Sequence, residues 1–178
     1  MIADISEWIR TIIIETLYPD IISSKDTVQL CIPKQKKQDF QVGIYLYDIK
    51  SDALHEKRYA SLREDEWQFP DKLVIASYLI YVNEEEQFGG FSKEYEERIL
   101  EAMIQLFHDT SLVKVDGQEL FIQFEELALH DKIQLWQSFQ LPLQPALYIN
   151  VSPIAIASKR KEKASLVQHM NLESKRKE

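Results

Sequence analysis

Apolar residues recur at helical spacing near the start of the chain, with Ile5, Trp8, Ile9, Ile12, Ile13 and Leu17 on one stripe. Asp4 and Glu7 have the spacing of a capping box, and Tyr18-Pro19-Asp20 breaks the pattern, so a first helix is predicted between them. The period then shortens to two. Val28, Leu30 and Ile32 alternate as a short strand up to Pro33, and Phe40 to Ile49 is a second strand rich in β-branched and aromatic residues. Leu73 to Val82 is apolar on both faces, which places it mid-sheet with a layer on either side. Helical spacing returns with Tyr95, Ile99, Met103, Leu106 and Phe107, behind a capping Ser92. Val113 and Val115, then Asp116-Gly117, then Leu120, Ile122 and Phe124 predict a hairpin whose central pair tolerates positive φ.

The next stretch, Leu127 to Ile156, organises the rest. Ile133, Trp136 and Phe139, with Leu135 flanking, make a short amphipathic helix whose first-turn N–H groups Asp131 can accept from. Pro142 and Pro145 each remove a donor and fix φ, so the helix stops near Phe139 and a stiff turn follows. Leu147, Ile149 and Val151 then alternate with Tyr148, Asn150 and Ser152 in a closing strand. The order α-β-β-β-α-β-β-α-β predicts an α+β fold: a mostly antiparallel sheet of about five to six strands, with three helices packed on one or both faces.

Three segments stand outside these elements. Lys34 to Gln38 is a basic polar loop, and Lys50 to Pro70 is a long charged loop with room for a brief strand. In the second, Leu54, Tyr59, Leu62, Trp67 and Phe69 need cover from the body or from a neighbouring subunit. The third is the tail, in which Leu166, Val167, Met170 and Leu172 sit between charged blocks, as either a flexible segment or a short helix that docks on a partner. The division is a domain over residues 1–157 and a basic tail over residues 158–178.

Charge sharpens that division. From Ser158 to Glu178, seven Lys and Arg face three Glu, a net +4 within a chain of net −8, so the body carries −12. Such a body repels a phosphate backbone. With 178 residues and 45% hydrophobic content the chain is long enough for one well-buried core. The single cysteine, Cys31, precludes an internal disulfide and reads as a small apolar side chain at a strand end. Asp4 and Glu7 stand where a secretory signal would be basic, and no apolar run approaches the ~20 residues of a membrane span, so a soluble protein in the cytoplasm is expected.

Catalytic chemistry finds little support. His108-Asp109 and His130-Asp131 are the His-acid neighbours, and at each the Asp more plausibly ends or starts a helix. Gly89-Gly90 follows an acidic turn and forms no phosphate loop, and Glu84-Glu85-Glu86 lacks the alternation of a calcium loop. No nucleophile, base and orienter set is present in the sequence, so no enzyme, cofactor or metal is expected.

A helix carrying Leu135-Trp136, a Pro-containing turn, and Pro145-Ala146-Leu147-Tyr148 entering a strand resemble the signature of the cap, or tail-terminator, proteins of extracellular contractile injection systems, of the virulence-cassette and antifeeding-prophage type. The strand Leu73 to Tyr81 and the helix Ile99 to Thr110, ending in His108-Asp109, resemble the same family, over about residues 4 to 157; Ser77 and Ser111 depart from it, where a His and a Pro would be expected. The resemblance implies a homohexameric ring that ends the tube and sheath of a phage tail-like particle, assembled in the cytoplasm and able to leave the cell with the particle. Family members are often longer, with a second C-terminal domain. The segments that the fold does not need then become the expected contacts with tube and sheath: Lys34, Lys36, Lys37, Tyr59, Trp67, Phe69, Lys159, Arg160, Lys161 and Lys163. An adaptor that binds an acidic partner through its basic tail is the alternative, and a small hydrolytic enzyme the third reading.

Overall fold

The computed structural model describes residues 1–33, 40–53, 61–63, 66–83 and 93–163. Helix α1, Ile2–Leu17, turns Ile5, Ile9, Ile13 and Leu17 fully inward, one residue per turn. It starts earlier than Asp4 and Glu7 suggest: Met1 is the cap, Asp4 lies in the first turn with its carboxylate on the N-terminal ammonium, and Glu7 pairs with Arg10 at 3.3 Å. The box expected of Asp4 and Glu7 is therefore shifted by one turn: Asp4 is its third helical residue, reaching back to the Met1 backbone, and Glu7 takes no part, because Ile2 already fits the apolar stripe.

Six strands form the main sheet: β1 (Val28–Leu30), β2 (Val42–Ser51), β5 (Lys72–Val82), β6 (Leu112–Val115), β7 (Gln118–Phe124) and β8 (Ala146–Ile156). Their order is β1-β2-β5-β8-β7-β6, with β1 parallel to β2 and every other pair antiparallel. The doubly apolar strand β5 does lie in the middle. Asp116 and Gly117 turn β6 into β7 with φ of 48° and 82°, as the tight turn requires. Of the hairpin's apolar set, Leu120 and Ile122 are buried, but Phe124 is 43% exposed, since β7 ends there at the side of the sheet.

Helices α1 and α2 (Lys93–Asp109) cover one face, packing Ile99, Met103 and Phe107 with Ile44, Tyr78, Ile80, Ile149 and Val151. Helix α3 (Leu129–Ser138) covers part of the other, over Phe40, Leu79, Tyr81 and Tyr148. Its cap is Ala128, with no side-chain capping bond. Asp131 sits inside the first turn, where its charge suits the macrodipole without capping it. Trp136 is the centre of this second layer: it is fully buried, its Nε1–H donates to the Tyr148 hydroxyl at 2.9 Å, and its ring meets Tyr81 and Phe139 edge to face. Gly43, paired with Tyr81 across β2 and β5, makes room for that ring; a Cβ there would lie 2.3 Å from Tyr81 Cζ.

Candidate assembly surface

The long loop between β2 and β5 is shorter than its composition suggests, because β2 continues to Ser51 and Asp52 N–H donates to the Leu73 carbonyl. Within it, β3 (Ser61–Arg63) and β4 (Glu66–Gln68) pair antiparallel, and β9 (Lys161–Lys163) adds to β4. This three-stranded sheet is separate from the main one. The register sets Lys163 opposite Glu66 and Lys161 opposite Gln68.

Six of the expected contact residues meet there. Trp67 is 42% exposed, Phe69 is half-buried, and the Arg160 guanidinium lies 4.2 Å from the Phe69 ring centroid, a cation–π contact. Lys159 is exposed beside Arg160, while Lys161 and Lys163 hold register positions in β9. Segments ninety residues apart in sequence thus share one small sheet, a juxtaposition that no local pattern reveals. Lys34, Lys36, Lys37 and Tyr59 lie outside the described residues, as do Ser92, the Glu84 to Gly90 turn and the tail beyond Lys163.

A polar cluster occupies the sheet face beyond the reach of α3. Glu125, just past β7, accepts from Tyr47 and from Lys50 Nζ (2.8 Å), both on β2, and Ser77 donates to Asn150 at 2.6 Å. Burial pushes the Glu125 carboxyl up, but the Lys50 and Tyr47 hydrogen bonds outweigh it and hold the group below the usual glutamate range. Burial and the adjacent carboxylate raise the Tyr47 hydroxyl. The cluster favours an ionised Glu125 and a neutral Tyr47, and its hydrogen bonds fasten β2 to the end of β7.

The histidines stand apart from it. His108 closes α2 and His130 opens α3, where it contacts Gln134 at 2.9 Å, and both are exposed. Cys31 is half-buried, with Sγ 3.4 Å from the Tyr81 hydroxyl. Among the described residues no group of three or more His, Cys, Asp or Glu could hold a metal, and no helix is long and apolar enough to cross a membrane.

Sequence reasoning missed several exposed apolar side chains. Leu112 is 57% exposed and its cross-strand partner Phe121 48%; Ile49 on β2 is 49% exposed. Ile104, Leu129 and Leu143 border an open groove of about 520 Å³ where β8 enters the sheet. Leu112 precedes the apolar alternation of its hairpin and Phe121 falls between its inward members, which was the one signal available.

No curated protein matches the chain. Among solved structures, the whole chain aligns with the sheath/tube terminator of an extracellular contractile injection system in the extended state (PVC), with a TM-score of 0.71, 16% identity and 64% of that chain covered. The tube-terminating cap of the anti-feeding prophage aligns over 96% of this chain and 60% of its own, with a TM-score of 0.66 and 14% identity. The chain therefore spans less than two thirds of the length of either. At these identities the likeness establishes the fold, and it bears out the α+β sheet with three helices. The family follows from a separate match: residues 4–169 fit the model described as the Pvc16 N-terminal domain, and the chain belongs to that family.

Proposed function

We propose that this chain is a structural cap subunit, which forms a ring at the end of the tube and sheath of a contractile injection particle and halts further addition. The observation that carries the reading is the alignment of the entire chain with the sheath/tube terminator of an extracellular contractile injection system. The physical task needs no catalytic chemistry: an open helical stack leaves strand edges and apolar surface uncovered at its last layer, and a cap has to cover them without presenting the same surface again. The ring is taken to be a homohexamer. The protein would assemble in the cytoplasm and remain on a particle that can be released.

The grip on tube or sheath is assigned to Trp67, Phe69, Lys159, Arg160, Lys161 and Lys163 on the small sheet, with Lys34, Lys36, Lys37 and Tyr59. The basic members run against an acidic body and would steer toward acidic patches with strong salt dependence, while the aromatic ones bury apolar area. Reversing the charge at Lys34, Lys36 and Lys37, or deleting residues 158–178, is expected to leave a folded protein and particles of uncontrolled length in electron micrographs. Particles of normal length and cap occupancy with both variants would remove these segments from the grip. Uniform particle length in cells lacking the protein altogether would remove the cap reading itself.

A further inference from the structure

The two edges of the six-stranded sheet fit each other. On the β1 side, β1 accompanies only Val42–Ile44 of β2, and no strand among the described residues pairs with β2 from Tyr45 to Ser51 on that side. Cys31 N–H, one residue past β1, donates to the Ile44 carbonyl at 3.0 Å, so by the two-residue alternation Leu46 presents its N–H and C=O to the open side. At the other edge, Ile122 N–H donates to the Ser111 carbonyl at 2.8 Å. Leu112 and Lys114 of β6 therefore direct their backbone groups outward.

Direction and facing decide how these edges can meet. Through four antiparallel steps, β2 and β6 run the same way. A rotated second copy that keeps strand direction and sheet face thus brings its β6 alongside β2 in parallel. In a parallel pair the outward residue of one strand bonds the carbonyl before and the N–H after its aligned partner. Leu46, on the face covered by α1 and α2, then aligns with the partner's Val113 on the same face, between the Leu112 carbonyl and the Lys114 N–H. The bulge at Tyr47 makes Asp48 the next ladder position. The same register consequently sets Asp48 opposite Lys114, both exposed and of opposite charge, Tyr45 opposite the 57%-exposed Leu112, and the 49%-exposed Ile49 opposite Val115.

We infer that copies of this chain join head to tail by parallel pairing of β6 of one copy with the Tyr45–Ile49 edge of β2 of the next. Two different patches in contact make a heterologous interface, which closes into a ring when the rotation divides a full turn. This deepens the ring reading and rests on it for closure, while the strand contact stands on the sheet alone. A corner of about 310 Å³, where β1 stops beside Leu30, Ile32 and Leu46, leaves space for the incoming strand.

Disulfide trapping separates the outcomes. In a Cys31→Ser background of the full chain, Asp48→Cys and Lys114→Cys proteins are mixed and oxidised, both free in solution and within capped particles. Mixed Asp48→Cys/Lys114→Cys dimers alone are expected, and the doubly substituted protein should give a ladder ending at the closed ring. Asp48→Lys and Lys114→Asp should each weaken association roughly fivefold per contact, and the double swap should restore it. Dimers of Asp48→Cys with itself would establish a two-fold edge contact and overturn the inference. Capped particles with no mixed disulfide would overturn it and leave the cap reading standing, and the absence of mixed disulfide in solution and on particles alike overturns it as well.

Discussion

Replacing Trp136 tests how the fold is held, since this one side chain joins α3 to the sheet. Its indole is fully buried against Tyr81 and Phe139, and its N–H reaches Tyr148 on β8. Trp136→Ala removes the largest buried side chain of that layer, in a site where the aromatic neighbours can collapse only in part; the expected cost is roughly 3–5 kcal/mol. For a chain of this length that corresponds to a fall in Tm of about 6–20 °C. The hydrogen bond is separable from the packing. Tyr148→Phe leaves the indole N–H buried without an acceptor, at about 1–3 kcal/mol, whereas Trp136→Phe with Tyr148→Phe removes both partners and should cost less than the sum of the two single changes. Urea unfolding followed by circular dichroism gives all four values. A Trp136→Ala protein with wild-type Tm, or a strictly additive pair, would refute the placement of Trp136 as the anchor.

Other expectations follow from particular contacts. Gly43→Ala drives a Cβ into the Tyr81 ring and should destabilise by roughly 1–3 kcal/mol; Tyr81→Leu in the same chain should relieve part of it, as read by denaturant midpoints. Because the Glu125 carboxyl is held below its usual range in the folded protein, its contribution is present above that range and lost as pH falls through the folded value. The stability gap between wild type and Glu125→Gln should therefore narrow as pH falls below the ordinary glutamate range, and a gap that widened on acidification would contradict the assignment. His108→Gln with His130→Gln should assemble into particles normally and change Tm little, and a folded double variant that lost an activity would revive an enzymatic reading.

The periodic parts of the fold were legible because each periodic segment buries a single stripe or face, or, in β5, both. The α1 stripe, the Leu73 to Val82 strand, the Asp116-Gly117 turn and the Trp136 helix all fall where their patterns put them, since burial of one side decides each locally. Helix starts were less legible. Asp4, Glu7 and Asp131 are good capping residues, yet the apolar stripe carries α1 and α3 past them. The candidate surface was legible only in part, because it is assembled from distance: Trp67 and Phe69 declare themselves as apolar residues in a charged loop, but their union with Arg160 and β9 depends on where β8 leaves the sheet. That β2 beyond Ile44 and the outer side of β6 have no partner strand among the described residues was invisible for the same reason, since a strand edge has no composition of its own.

The cap reading is tested most directly by imaging particles made with and without this protein, with the chain tagged so that its position can be seen. Rings of the tagged chain at one end of particles of uniform length, and overlong particles when it is removed, are predicted. Tagged chain spread along the particle, or uniform length in its absence, would contradict the account.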